Sequence, residues 1–186
     1  MRTYRTIQFP DIKFSLVYDD IAEQEADFLV SAAETNLQMR GAVAEALRSA
    51  GGESHASAAQ SESPVPLGEV AVTDACDLDA EYVIHAAATP SLSSQQASAA
   101  SIRGATRSTL SAADELDGAS LVIPVIGTET AGFEFKEGTH IVCEVVREHD
   151  TTTLDDVRII TNSEKEFSGL TRIAAMFYRT CQDTDF

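Results

Sequence analysis

Apolar residues along the chain fall into two alternating patterns. Runs that are apolar at nearly every position, Asp27 to Ala32 (DFLVSA) and Leu121 to Ile126 (LVIPVI), predict strands buried on both faces. Further strands are predicted over Thr6 to Phe9, Phe14 to Tyr18, Glu69 to Thr73, Tyr82 to Ala87 and Val157 to Thr161. Between them, apolar positions recur at helical spacing. A helix over Gly41 to Ala50 keeps Val43, Ala46, Leu47 and Ala50 on one face and stops at Gly51-Gly52; a second carries Ile102, Ala105, Thr109, Ala113 and Leu116. A third spans Lys136 to His149, and a fourth Glu164 to Cys181 with Phe167, Leu170, Ile173, Ala174 and Phe177 inward. Ser54 to Pro66, rich in Ser, Ala and Pro, predicts a weak helix and then a mobile loop. Strands that alternate with helices predict an α/β layer architecture, and neither internal repeats nor heptads interrupt it.

With 186 residues, 44% of them hydrophobic, the chain suffices for one substantial core, so a single domain over 1–186 is expected, residues 1–12 adding an N-terminal strand. No apolar run approaches the length of a membrane span, and the N-terminus leads into strand-like alternation instead of a signal core, so a cytoplasmic location without membrane partners is expected. Cys76, Cys143 and Cys181 are odd in number and widely spaced, the pattern of reduced core residues. The net charge of -17, from 30 acids against 13 bases, repels nucleic acid at long range. Two readings fit the acid excess: a solvated surface that maintains solubility, or adaptation to a salt-rich cytoplasm, since the screening length falls from ~8 Å at physiological salt to ~3 Å at 1 M.

In a sheet flanked by helices, ligands sit outside the carboxyl ends of the strands. That selects Glu34 to Val43 after the first buried strand, Gly127 to Phe133 after the second, and Asn162-Ser163 after the last. The first loop opens a helix at Gly41-Ala42-Val43, where free N–H groups and the positive helix end face the cleft. The second offers a nest of N–H groups. Two facing N–H-rich loops suit a diphosphate.

These loops, in this order, resemble those of macro domains, the ADP-ribose-binding modules, over about Phe14 to Tyr178. The resemblance rests on Asp20-Ile21; Val30-Ser31-Ala32-Ala33-Glu34 where the family writes V-N-A-A-N; Gly41-Ala42-Val43 through Ala50-Gly51-Gly52; and Pro124 with Gly127 to Phe133. The tract from Leu67-Gly68-Glu69 through Thr73, followed by Tyr82-Val83-Ile84-His85, is its most specific part. It implies a three-layer α/β/α fold around a mixed sheet of about six or seven strands, and a cleft for ADP-ribose or a related nucleotide, free or attached to protein. It implies no cofactor and no metal. Asp20 would accept a hydrogen bond from the adenine amino group with Ile21 beside the ring; alternatively Asp20 caps a turn before Ile21 to Glu25. Ala32 and Ala33 would line the site, Gly41, Ala42 and Val43 would hold one phosphate, and Gly127, Thr128, Glu129, Thr130, Ala131 and Gly132 the other phosphate and the distal ribose. Phe133 would line the pocket.

Several positions depart from the family. Members that hydrolyse ADP-ribosyl esters tend to carry asparagine where this chain has Glu34 and an acid where it has Ala44. Glu34 is then either the general base of a hydrolase acting on ADP-ribosyl or O-acetyl-ADP-ribose, or a loop-closing residue. Glu129 stands where the family has glycine, which removes backbone freedom and adds charge next to a phosphate. Ala131 and Asn162 occupy positions where rings often stack on the ribose and adenine, a loss of about 0.5–1.5 kcal/mol per ring. Met39-Arg40 replaces glycines in the first loop, where Arg40 either pairs with a phosphate or is solvated. Three functions follow: an ADP-ribose-binding module, a hydrolase using Glu34, or a macro-like fold without nucleotide affinity. His140, Cys143 and His149, at i, i+3 and i+9 on one helix, do not form a metal set. No serine sits in a G-x-S-x-G turn, and His85 is expected to be half-buried and satisfied.

Overall fold

The computed structural model describes residues 2–8, 12–91, 96–128 and 133–182. The strands are β1 (Arg2–Gln8), β2 (Lys13–Tyr18), β3 (Phe28–Glu34), β4 (Val70–Asp74), β5 (Tyr82–Thr89), β6 (Ser120–Pro124) and β7 (Asp156–Thr161). The helices are α1 (Ala42–Ser61), α2 (Ala99–Glu115), α3 (Phe135–Glu148) and α4 (Glu164–Gln182), and a 3-10 turn spans Ile21–Glu23. The strands form a seven-stranded sheet ordered β1-β2-β7-β6-β3-β5-β4. Strands β2, β7, β6, β3 and β5 run parallel, while β1 and β4 pair antiparallel at the two edges.

Successive side chains on the parallel strands feed opposite layers, which is why the runs are apolar at every position. Phe28 and Val30, Leu121 and Ile123, and Val157 and Ile159 join one core cluster, together with residues of α2, α3 and α4. Leu29, Val122 and Ile160 join the other, with Ala44, Leu47 and Ala59 of α1. The result is a three-layer α/β/α sandwich with α1 on one face and α2 to α4 on the other.

Four sequence expectations change. The helix predicted to stop at Gly51-Gly52 continues to Ser61: Gly52, at φ 77° and ψ -178°, kinks it without ending it. Leu116, expected on the inner face of α2, is the exposed residue just beyond its end. Cys76 is free and exposed instead of lying in the core, whereas Cys143 is buried. His85 is fully buried, not half-buried: Nε2 lies 2.9 Å from Thr73 Oγ1, and Nδ1 has no hydrogen-bond partner. Its ring stacks on the equally buried His55 of α1, centroids 5.5 Å apart. Among the described residues, no helix is long and apolar enough to cross a membrane and no cluster of three potential metal ligands forms.

Candidate functional site

A cleft of about 450 Å³, open mouth included, lies at the carboxyl ends of β2, β7 and β6, in the position where α/β sheets hold ligands.

One wall is built by α1. Its N-cap Gly41 has φ 96° and ψ 160°, a backbone region that side chains rarely enter, and it supplies no side-chain cap. The other described helices begin differently. Ser98 closes α2 with a capping box, the Glu134 side chain accepts from Glu137 N at the start of α3, and Ser163 Oγ accepts from Glu166 N at the start of α4. The first N–H groups of α1 are therefore left to whatever occupies the cleft, which Ala42 and Val43 line.

Opposite them stands the turn after β6. Thr128 lines the cleft and donates its hydroxyl to Val125 O at 2.9 Å. Gly127 sits at φ 80°, and a Cβ there would come within 2.8 Å of Ile102 Cγ1, so this turn packs on α2 only as glycine. Gly138 of α3 leaves room for the Thr128 methyl, which a Cβ would meet at 2.7 Å.

The third part is acidic: Asp19, Asp20 and Glu166 line the cleft, and no lysine or arginine is among its described lining residues. Asp20 Oδ1 accepts from Ala22 N at 3.0 Å and caps the 3-10 turn, and the buried Gln24 donates to Asp20 O at 2.8 Å. The capping reading of Asp20 holds in the structure alongside its place on the rim. Ile21, 4% exposed, forms part of the floor. Glu166 Oε2 accepts from Thr161 Oγ1 at 2.6 Å, which fixes this carboxylate at the end of β7. Phe135 supplies an aromatic wall.

The structure thus brings together Asp20, Ile21, Ala42, Val43, Thr128 and Asn162 in one cleft, with Gly41 and Gly127 shaping its two turns. Glu129, Thr130, Ala131 and Gly132 lie outside the described residues. Arg40 does not line the cleft: it runs with Arg48 and Gln60 along a separate groove beside α1. Ala32 and Ala33 pair with Ala86 and Ala87 inside the sheet, and Glu34, half-buried at the end of β3, is not a lining residue. Phe133 and Phe135 both pack against the main core cluster, and of the two it is Phe135 that lines the cleft.

Sequence reasoning missed Phe135 and Glu166, yet each carried a local signal. Glu134 and Glu137 at i and i+3 mark a helix start and place Phe135 in its first turn. Ser163 and Glu166 have the spacing of a capping box. Only half of that box forms, since Ser163 N donates to Thr161 Oγ1 and the Glu166 carboxylate is held by Thr161 instead.

Comparison with known proteins agrees with this architecture. The family model described as macro domain matches residues 30–142. An uncharacterised protein of Sulfolobus acidocaldarius is 32% identical over 158 residues, covering 83% of this chain and 86% of that protein. One of Mycobacterium tuberculosis is 37% identical over 153 residues, 81% of this chain and 42% of its own length, so the present chain spans about two fifths of that relative. Among solved structures, the Oceanobacillus iheyensis macrodomain with ADP superposes with a TM-score of 0.87 at 19% identity, over 97% of this chain and 100% of that one. The Trypanosoma brucei macrodomain in complex with ADP-ribose gives 0.79 at 22%, over 87% and 68%. At these identities the structural likeness concerns the fold, and the family model and the archaeal relative carry the assignment: this chain belongs to the macro domain family.

Proposed function

We propose that the protein binds ADP-ribose, or a nucleoside diphosphate closely related to it, in the cleft at the ends of β2, β7 and β6. The observation that carries this reading is the uncapped N-terminus of α1 facing the Thr128 turn across the same cleft as an acceptor rim. Free N–H groups and the helix dipole suit the diphosphate, and the carboxylates at the other end suit the N–H and O–H donors of a nucleoside. Two macrodomains of the same fold that hold ADP and ADP-ribose support it. Asp20, Ile21, Gly41, Ala42, Val43, Gly127, Thr128 and Asn162 are the proposed binding residues.

Binding, not turnover, is the activity proposed. Glu34 was the one local base the sequence offered, and it does not line the cleft. The ligand is read as free ADP-ribose or the same group attached to a macromolecule. The chain acts as one domain, all described strands sharing one sheet. Its acid excess suits a salt-rich cytoplasm.

The test is thermal unfolding in molar potassium chloride with and without millimolar ADP-ribose. A ligand present at 100 times its Kd adds about 2.7 kcal/mol, which for a chain of this size raises Tm by about 5–10 °C. AMP, lacking the second phosphate, should give a markedly smaller shift. An unchanged Tm at millimolar ADP-ribose overturns the reading.

A further inference from the structure

Across the mouth of the cleft the carboxyl ends follow the sheet order β2, β7, β6. Asp20 and Ile21 follow β2, Glu166 is tied to the end of β7, and Thr128 follows β6. A nucleoside diphosphate has the same order of parts: base, ribose, phosphates. With the base at the β2 rim and the diphosphate between Thr128 and the start of α1, the ribose of the nucleoside falls at β7. Pairing across the strand ends is tight, with Tyr18 level with Thr161 and Pro124 level with Ile160, so these three positions are adjacent.

We propose that Glu166 is the specificity-determining residue of this cleft: its free carboxylate oxygen accepts from the 2′-hydroxyl of the nucleoside ribose and excludes nucleotides that carry a 2′-phosphate. This rests on the binding reading above and narrows its ligand class. Of the two carboxylate oxygens, Oε2 is occupied by the Thr161 hydroxyl, and Thr161 is itself 9% exposed and fixed by the sheet. That bond orients the side chain and leaves Oε1 as the acceptor. An acid that hydrogen-bonds a ribose 2′-hydroxyl and rejects a 2′-phosphate is the device dinucleotide-binding folds use to separate the two kinds of cofactor. Here it acts in a different fold, next to Phe135, whose ring lies 3.4 Å from where a Cβ on Gly169 would stand, one turn along α4 from Glu166. Rejection is reinforced by the setting. No lysine or arginine among the described lining residues is available to neutralise a 2′-phosphate, and Asp20 adds to the negative rim.

The experiment measures affinity by titration calorimetry in molar potassium chloride for ADP, 2′-deoxy-ADP and adenosine 2′-phosphate 5′-diphosphate. The natural protein should bind ADP about tenfold or more tightly than 2′-deoxy-ADP, the value of one charge-assisted hydrogen bond. It should bind the 2′-phosphorylated compound more weakly still. Glu166→Gln should lose part of its ADP affinity while gaining affinity for the 2′-phosphate, so that the ratio between the two falls by about tenfold. Thr161→Val, which frees the carboxylate without removing it, should weaken the preference for ADP over 2′-deoxy-ADP and keep the rejection of the 2′-phosphate. Equal binding of all three nucleotides by the natural protein overturns the role of Glu166 and leaves the nucleotide site standing. Binding of none of them overturns the site and this inference with it. A Glu166→Gln protein that weakens all three nucleotides equally shows Glu166 to be structural and likewise overturns the proposal.

Discussion

Asp114, at the end of α2, holds a whole loop with one carboxylate. Its Oδ1 accepts from the N–H groups of Thr152, Thr153 and Leu154 at 2.9 to 3.1 Å, and Oδ2 lies 2.6 Å from His149 Nε2. Burial pushes the carboxyl up; the Leu154, Thr153, His149 and Thr152 donors outweigh it and hold it well below the usual carboxylate range. A depressed acid stabilises the fold above its unfolded value near 3.9, and that contribution fades as pH falls toward the folded value. Asp114→Ala strips these donors of their acceptor and should cost about 3 kcal/mol at neutral pH, read as a lowered urea midpoint. His85 acts higher on the pH scale. Burial, followed by the neighbouring His55, pushes it down to about 3. Between about pH 6.5 and that value the unfolded chain takes a proton that the native one refuses, so stability drops by about 1.4 kcal/mol per pH unit as acid is added. Urea titrations from pH 7.5 to 5 should show this slope before most carboxylates respond. In His85→Gln the slope should shrink, and an unchanged slope removes His85 as its source.

Helix α1 shows what patterning reveals and what it hides. Its apolar spacing to Ala50 and the glycine pair were readable, and both suggested a stop. In the structure Gly51 leaves no space for a side chain, since a Cβ would lie 2.9 Å from His55, and His55 itself meets β4 and β5, its Nδ1 3.4 Å from Asp74 O and its ring on His85. The continuation depends on a histidine whose stacking partner, His85, stands thirty positions further along the chain, out of reach of any local period. The strands were legible because burial on both faces leaves apolar runs with few alternatives. The site was legible where it depends on strand ends and glycine turns, as at Gly41 and Gly127. Glu166 and Phe135 were not, because they enter from the first turns of α4 and α3, and β7 lies between β2 and β6 only once the sheet has formed. Gly52→Ala tests the kink. Its φ and ψ belong to a region that is nearly glycine's alone, so a methyl there should cost about 1–3 kcal/mol. Since the first half of α1 walls the cleft, the same change should also weaken ADP-ribose binding; full affinity at reduced stability would mean the two halves of the helix act independently.

At the scale of the molecule, net charge and local site have opposite signs of influence on an anionic ligand. The chain carries -17, and described ion pairs such as Lys13 with Asp156 and Arg103 with Glu144 lie at or near the surface. Pairs of that kind contribute about 0.2–1 kcal/mol each and weaken with salt. Against them stands repulsion among the excess carboxylates, which reaches across ~10 Å at 0.1 M and only ~3 Å at 1 M. The excess charges outnumber the pairs, so added potassium chloride should raise Tm through the first molar, where an ordinary protein held by surface pairs would change little or fall. Binding should follow the same sign. A diphosphate approaching this surface crosses a negative field before it meets the N–H groups of α1, and that field collapses with salt while hydrogen bonds made at contact persist. Affinity for ADP-ribose should therefore rise, on the order of tenfold, between 0.1 and 1 M potassium chloride, the reverse of the salt dependence of a site built from lysine and arginine. Calorimetry at the two concentrations decides it, with circular dichroism at each to confirm that the protein is folded. An affinity that falls with salt would mean that a cation, and not the N–H groups of α1, dominates binding, and that the acid surface plays no part in what the cleft binds.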